Sequence, residues 1–261
     1  MIKSTTIKDV KEFWDERPCN VRHSNKPEGS REYFDEVERK KLFVEPNILK
    51  FTKFETVSGL KVLEVGCGIG TAAINFARNG ADYTGFELSE TSLALTKQRF
   101  DVYGFKGQFY NGNAETLNQH LPANKYDLIY SWGVIHHSPE PKRIVQQISN
   151  YLAPNGTFKL MLYAKNSWKN FMIEAGFDQP EAQYGCPIAY TYTPDEVREL
   201  LSPEFEVVSI EQDHIFPYQI DPYKQGQYIK QPWFENMPDE IFQTLEKNLG
   251  WHLMITAKLK D

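Results

Sequence analysis

Cysteine is scarce in this chain, and its spacing matches no common cross-link or metal motif. The 261 residues contain three cysteines, Cys19, Cys67 and Cys186, and no C-x-x-C pair. An odd, widely spaced set of thiols argues against a disulfide framework and against a structural zinc site. We therefore expect no metal ion, and we expect a reducing compartment, the cytoplasm.

Long apolar runs and an excess of positive charge are also absent from the sequence. No stretch reaches the roughly 18 apolar residues of a membrane-spanning helix, and the N-terminal residues carry no apolar signal-peptide core. The formal net charge is −6 at pH 7. A sequence-independent nucleic-acid binder carries a basic face. We therefore expect neither a membrane nor a nucleic acid as a partner.

What the sequence does contain is a regular alternation of short apolar runs and amphipathic segments. The predicted strands lie at 62–65, 82–86, 107–110, 126–131, 156–163, 205–216 and 251–259, and the predicted helices at 71–79, 89–103, 142–152, 194–201 and 237–249. This alternation is typical of an α/β fold with a doubly wound, mostly parallel sheet. We predict one structural unit, in which residues 1–56 form an N-terminal cap and residues 57–261 the main domain.

A glycine-rich loop follows the first predicted strand and precedes the first core helix. Its order is Gly66-Cys67-Gly68-Ile69-Gly70, and an acidic residue, Glu87, ends the second strand. In nucleotide-binding α/β folds, an acid at that place accepts hydrogen bonds from ribose hydroxyls. A dinucleotide loop has the spacing G-x-G-x-x-G, which this loop lacks. Glu64 would also repel a pyrophosphate and suits a ligand that carries an ammonium or a sulfonium.

The ordered motifs resemble those of class I S-adenosylmethionine-dependent methyltransferases. The resemblance rests on VLEVGCGIG (62–70), Glu87, the turn at 113–115, YDLIYSWGVIHHSPEP (126–141) and PNGTFKLMLYA (154–164). It implies a Rossmann-like sheet of seven strands whose last strand, at about 251–260, is antiparallel. It also implies S-adenosylmethionine as the cofactor, bound by Glu64, Gly66, Cys67, Gly68, Gly70, Glu87, Leu88, Asn113, Ala114, Glu115 and Ser131.

Three residues beside the expected cofactor are candidates for catalysis. His136 and His137 follow the fourth strand, and Tyr163 ends the fifth. Histidine titrates near neutrality, so either imidazole could act as the base for an acceptor that must lose a proton. Each of the three could instead only pack under the cofactor or in the core, and the sequence does not separate the two histidines.

Two regions outside the core are candidates for binding the acceptor. The N-terminal residues Arg17, Arg22 and His23 would form a cationic lid if that segment folds over the cleft, and would otherwise be a solvated polar loop. Segments 165–192 and 219–250 are predicted to be acceptor-shaping inserts. Six tyrosines and one histidine lie in and beside these segments: Tyr184, Tyr190, Tyr192, His214, Tyr218, Tyr223 and Tyr228. Some of them would only pack the inserts onto the sheet.

These observations predict a methyltransferase that acts on an oxygen or a nitrogen of a small, polar, anionic metabolite. Such an acceptor would fit the assembly of surface glycans or natural products. The alternative is a non-catalytic S-adenosylmethionine-binding module or partner subunit. The glycine spacing and Glu64 disfavour a nicotinamide-dependent oxidoreductase, and the three cysteines lack the spacing of an arsenite methyltransferase. The sequence leaves the oligomeric state open.

Overall fold

A computed structural model describes residues 5–177 and 185–260, so Tyr184 lies outside the described residues. The strands are β1 (Lys61–Val65), β2 (Asp82–Glu87), β3 (Gln108–Asn111), β4 (Tyr126–Trp132), β5 (Leu152–Ala164), β6 (Thr191–Tyr192), β7 (Phe205–Asp213) and β8 (His252–Leu259). The helices are α1 (Ile7–Glu16), α2 (Arg31–Val44), α3 (Asn47–Thr52), α4 (Thr71–Arg78), α5 (Glu90–Tyr103), α6 (Pro141–Ser149), α7 (Trp168–Glu174), α8 (Pro194–Leu201), α9 (Ile220–Lys224), α10 (Pro232–Glu235) and α11 (Asp239–Leu249). Short 3-10 turns lie at Val21–His23, Phe54–Thr56, Ala114–Gln119 and Ile135–His137.

One mixed sheet organises the described part of the chain. Its main path has the order β3-β2-β1-β4-β5-β8-β7, and the two-residue β6 pairs beside β5. Strand β8 runs antiparallel to both β5 and β7, whereas the other strand pairs are parallel. The predicted doubly wound sheet with an antiparallel last strand is confirmed. The strand order reverses between β1 and β4, and such a switch point leaves a crevice at the carboxyl ends of the strands.

Alternate residues of the central strands face two separate cores. Leu63 and Ile129 belong to a core on the face that carries α6 and α8. Val62, Leu128 and Tyr130 point to the opposite face and pack with α4 and α5. Since side chains alternate along a strand, a sheet covered on both faces needs apolar residues at nearly every position. The run Val62–Val65 meets that need, with Glu64 as its one polar member.

Side-chain caps define the starts of α5 and α8, close to the starts that the sequence predicts. The Ser89 hydroxyl accepts the amide proton of Ser92 at the start of α5. Thr193 and Glu196 form a reciprocal capping box on α8. Both caps satisfy backbone donors that the first helical turn leaves open.

Strand β5 is longer than the sequence predicts, and α6 is shorter. The predicted helix at 142–152 ends at Ser149, and the strand begins at Leu152 rather than at Gly156. The pairing steps from Tyr126 with Leu152 to Leu128 with Thr157, so the extra residues bulge out of the ladder. The turn residues Pro154-Asn155-Gly156 therefore lie within a bulged strand instead of a loop.

The segment before β1 packs directly onto the loop after β1 and onto α5. Tyr33 and Phe34 of α2 share a buried cluster with Ile69 and Leu95. The boundary at residue 57 stays a prediction. Within the described residues, no helix combines the length and the apolarity needed to cross a bilayer.

Candidate functional site

A cavity of about 200 Å³ opens at the carboxyl ends of β1, β2 and β4, where the strand order reverses. The strand ends and the loops after them supply one wall. The N-terminal segment supplies the other, through residues of α1, α2 and the stretch between them. Of the predicted site residues, the cavity lining includes Glu64, Gly66, Cys67, Gly68, Glu87, Leu88, Asn113, Ala114, His137 and Tyr163.

Two positions of the glycine loop need glycine for different reasons. Gly66 and Gly68 both have positive φ, at 83° and 53°. A Cβ on Gly66 would meet Val134 at 2.2 Å, whereas a Cβ on Gly68 would have nothing within 4 Å. Gly66 is therefore required by the packing of the loop, and Gly68 borders open space that a ligand can enter.

Two buried carboxylates lie at the ends of β1 and β2. Glu87 accepts hydrogen bonds from the amides of Gly68 (2.8 Å) and Ser89 (2.9 Å), and burial raises its pKa. Glu64 accepts the Tyr83 hydroxyl at 2.6 Å, and burial raises its pKa to about 8. A cation beside Glu64 would favour its ionised form. These two carboxylate acceptors suit a ligand with sugar hydroxyls and a positive charge.

Asn113 and Ala114 continue the cavity wall after β3. The Asn113 side-chain oxygen accepts the amide of Glu115 at 2.9 Å, which shapes the turn. Glu115 itself lies outside the cavity lining and accepts the Ser138 hydroxyl. Its carboxylate therefore joins this turn to the loop after β4.

Gly70 and Ser131 also lie outside the cavity lining. Gly70 is the residue before α4, with φ of 80°. The Ser131 hydroxyl donates to the Val65 carbonyl at 3.0 Å and joins β4 to β1. Both residues therefore belong to the structure that holds the glycine loop rather than to the cavity surface.

The structure separates the two neighbouring histidines. His136 is 0% exposed, lies outside the cavity lining and packs its ring 3.8 Å from the centre of the Tyr163 ring. His137 lines the cavity, and its Nδ1 lies 2.6 Å from the Ile188 carbonyl. That contact requires a proton on Nδ1, so Nε2 carries the lone pair of the neutral ring. Nε2 has no hydrogen-bond partner among the described residues, and burial lowers the His137 pKa to about 4.

Tyr163 lines the cavity from the end of β5. Its ring stacks on Trp251 with centres 4.4 Å apart and contacts both histidine rings. Tyr163 thereby joins the predicted catalytic group to the start of β8.

The N-terminal cations named from the sequence do not line the cavity. The Arg17 guanidinium lies over the Phe13 ring at 5.3 Å, and Arg22 is exposed. His23 meets the Tyr223 hydroxyl at 3.3 Å, and burial, with Lys41 and Lys40 nearby, lowers its pKa to about 3.

Of the tyrosines and the histidine predicted in the later segments, those that the structure describes also lie outside the cavity lining. Tyr190 is 44% exposed, and its amide donates to the His136 carbonyl. Tyr192 lies in β6 at the edge of β5, and Tyr218 stacks on Phe43. His214 stacks on His252 with ring centres 4.3 Å apart. Their predicted contact with the acceptor stays a prediction.

Sequence reasoning missed several residues that line the cavity: Trp14, Cys19, Asn20, Lys41 and Trp132. We refer to them as the acceptor wall because we expect them to face the acceptor. The amphipathic pattern of α1 marks a buried face but does not say what that face covers. The available signal was the clustering of aromatic and polar residues in a segment that precedes the cofactor core.

Comparisons with known proteins agree with this geometry. Residues 63–158 match the family described as "Methyltransferase domain". The ubiquinone biosynthesis O-methyltransferase of Leptothrix cholodnii is 33% identical over 118 residues, which are 45% of this chain and 49% of that protein. The chain thus spans about half the length of the curated relatives it matches.

Two solved structures show the same fold at low sequence identity. Magnesium protoporphyrin IX methyltransferase from Synechocystis, with bound SAH, has a TM-score of 0.62, 15% identity, and coverage of 98% of this chain and 100% of that chain. The cyclase SpnF has a TM-score of 0.56, 17% identity, and coverage of 97% and 93%. At such identities the likeness establishes the fold alone.

The family match places a methyltransferase domain at residues 63–158, and the sheet order and the ordered motifs are those of class I S-adenosylmethionine-dependent methyltransferases. Its cofactor is S-adenosylmethionine. The residues of this cavity fit the cofactor on two counts: open space beside Gly68, and the buried carboxylates of Glu64 and Glu87.

Proposed function

We propose that this chain transfers a methyl group from S-adenosylmethionine to a hydroxyl oxygen of a small, anionic molecule. The observation that carries the proposal is His137, a neutral imidazole at the cavity with its Nδ1 held by Ile188 and its Nε2 without a partner among the described residues. A hydroxyl group must lose its proton as the oxygen–carbon bond forms. Nε2 is the acceptor that receives it.

The chain's own residues divide the work around that proton transfer. When bound, the cofactor supplies an activated methyl group, and the electron pair of the broken bond remains on its sulfur. Gly68 and Glu87 would hold the nucleoside part of the cofactor, and the Glu64 carboxylate would attract the positive charge of its sulfonium. Tyr163 fixes the histidine rings by packing. Holding the reactants in line can lower the barrier by about 7–11 kcal/mol.

The acceptor's expected negative charge has support in Lys41. Among the described residues that line the cavity, Lys41 is the one lysine, and no arginine is present. Its ammonium also contacts Glu45. The matched relatives are named as O-methyltransferases, which favours oxygen over nitrogen as the methylated atom. An assignment to surface-glycan or natural-product assembly has no particular contact to support it.

Transfer of a labelled methyl group from S-adenosylmethionine tests the proposal. The purified chain is incubated with methyl-labelled cofactor and with a panel of phenols, catechols and sugars, each with and without a carboxylate. Mass spectrometry of the products should place the label on a hydroxyl oxygen of a carboxylate-bearing member. A metabolite extract extends the panel.

Two outcomes would contradict the proposal. Label on nitrogen alone would mean that the acceptor class is wrong. Cofactor binding by calorimetry without label in any product, from panel or extract, would favour the alternative of a non-catalytic cofactor-binding module. That alternative is physically reasonable because a fold does not fix its chemistry.

A further inference from the structure

Three metal-ligating side chains meet beside the cavity, although they come from distant parts of the sequence. Glu45 directly follows α2, His214 follows β7, and His252 begins β8. One ligand atom from each lies within 4.8 Å of the others. His214 and His252 are 8% and 3% exposed, and their rings stack at 20°. We refer to these three residues as the Glu45 cluster.

Two imidazole nitrogens and a carboxylate oxygen are a donor set that first-row transition metals prefer over magnesium or calcium. Ligand atoms that each lie about 2.1 Å from one ion are at most about 4.2 Å apart. The observed separations reach no more than 4.8 Å, but the two rings are stacked, so one imidazole must rotate to aim both lone pairs at one ion.

The backbone holds the two histidines in place. His214 has φ of 76°, a left-handed conformation that few residues other than glycine adopt. Its carbonyl accepts the Trp251 amide at 2.7 Å, and its own amide donates to the Asp213 carboxylate at 2.6 Å. These contacts keep the end of β7 beside the start of β8, so the two rings face each other.

Asn47 supplies an independent observation at the back of the Glu45 cluster. Its side-chain amide lies 3.1 Å from His252 Nδ1, and its buried Oδ1 has no hydrogen-bond partner among the described residues. With the amide turned over, Oδ1 would accept a hydrogen bond from the Nδ1–H group of His252. The Nε2 lone pair would then be free for a metal ion, in the way that carbonyl groups commonly orient ligating histidines.

The Glu45 carboxylate already has two donors, and both lie at the cavity wall. Oε1 accepts the Lys41 ammonium, and Oε2 accepts the Trp132 indole at 3.2 Å. An ionised carboxylate offers about four lone-pair positions, so an ion can share either oxygen. Since Lys41 and Trp132 line the cavity, an ion at Glu45 would lie one residue behind the acceptor wall.

We propose that Glu45, His214 and His252 bind one divalent first-row transition-metal ion, with Zn²⁺ as the reference. The ion would tie the end of α2 to β7 and β8 and so fix the acceptor wall. This inference depends on neither methyl transfer nor the acceptor.

Metal binding by the whole chain tests the inference. Chelator-treated protein is dialysed against Zn²⁺ or Mg²⁺, bound metal is measured by mass spectrometry, and Co²⁺ binding is followed by visible absorption. We expect one Zn²⁺ per chain and no Mg²⁺. Glu45→Gln, His252→Ala and His214→Asn should each weaken Zn²⁺ binding by at least about 100-fold. Asparagine suits position 214 because it tolerates a positive φ. His120→Ala, an exposed histidine outside the cluster, should leave binding unchanged.

Calorimetry with S-adenosylmethionine shows whether each variant is folded, because a folded variant must still bind the cofactor. Loss of Zn²⁺ binding in such a variant is then not caused by unfolding. The isosteric Glu45→Gln decides the question if a histidine variant does not fold. Absence of bound Zn²⁺ in the wild-type chain would overturn the inference. So would binding that survives all three substitutions, or that disappears instead in Cys186→Ser, where a thiol lies 3.3 Å from His137 Nδ1.

Discussion

The two halves of the cavity are built in different ways. The half that we expect to bind the methyl donor, here the donor half, comes from the ends of β1, β2 and β3 and presents backbone amides, glycines and two buried carboxylates. The half that we expect to bind the acceptor, here the acceptor half, comes from α1, α2 and the ends of β4 and β5. It presents several rings, among them Trp14, Trp132, His137 and Tyr163. One half is local in sequence, and the other is assembled from distant segments.

This difference follows from what each half must recognise. The cofactor is a fixed molecule, so short loops at the ends of neighbouring parallel strands can hold it through backbone geometry. An acceptor pocket needs shape and a placed base, which rings packed against one another supply. We therefore expect substitutions in the donor half to change cofactor affinity, and substitutions in the acceptor half to change turnover or acceptor KM.

The largest effect should come from filling the open space at Gly68. Gly68→Arg should weaken S-adenosylmethionine binding by on the order of 100-fold or more, because the side chain would occupy the cofactor's place. Gly59→Arg is the matched control, since Gly59 also has positive φ and open space around its Cβ but lies outside the cavity lining. Calorimetry measures both. Equal affinity in the two variants would mean that Gly68 does not face the cofactor.

Removal of the proposed base should have the next largest effect. His137→Ala should lower kcat by about 10²–10⁴-fold while the cofactor Kd stays within about twofold, since general-base catalysis is lost and the donor half is intact. His136→Ala should mainly lower Tm, because that ring is fully buried in packing. Steady-state kinetics on the identified acceptor and thermal unfolding separate the two. Near wild-type kcat in His137→Ala would remove the base from the mechanism.

Neutralising Glu87 should weaken the donor half to an intermediate degree. Glu87→Gln replaces a charged acceptor of the Gly68 and Ser89 amides and of the ribose, so cofactor Kd should rise by about 10-fold to 100-fold. Asp82→Asn, an exposed acid at the start of the same strand, is the control. A kcat loss without a change in Kd would contradict the division between the halves.

The smallest effect should come from the acceptor wall. Trp14 lines the cavity with its ring centre 5.3 Å from that of His137. Trp14→Ala should raise acceptor KM by about 10-fold through lost apolar contact and leave the cofactor Kd nearly unchanged. Trp233→Ala, at a 43% exposed position, serves as the control. A rise in cofactor Kd alone would assign Trp14 to the donor half.

Much of the donor half could be predicted from the sequence because its interactions are short in range. The glycines, Glu64, Glu87 and the turn at Asn113 follow strands that the apolar runs already mark. Parallel strands bring such ends to one edge of the sheet. Only the supporting positions of Gly70, Glu115 and Ser131, behind the cavity wall, required the structure.

The acceptor half could not be predicted to the same depth. Helical spacing marks α1 and α2 as amphipathic, but it does not say that Lys41, rather than Arg17 or Arg22, reaches the cavity. The neighbouring His136 and His137 have nearly the same sequence surroundings, and only the structure shows that His137 lines the cavity and contacts Ile188.

The sequence by itself determined the order of the main strands and helices and the helix caps at Ser89 and Thr193, because these depend on side-chain periodicity or on groups a few residues apart. The family resemblance of its ordered motifs implied the cofactor. Only the tertiary structure decided the bulge in β5, the contact of His137 with Ile188 and the meeting of Glu45 with His214 and His252. Those depend on strand register and on which surfaces pack together, and contacts between residues far apart in the chain leave no local pattern to read.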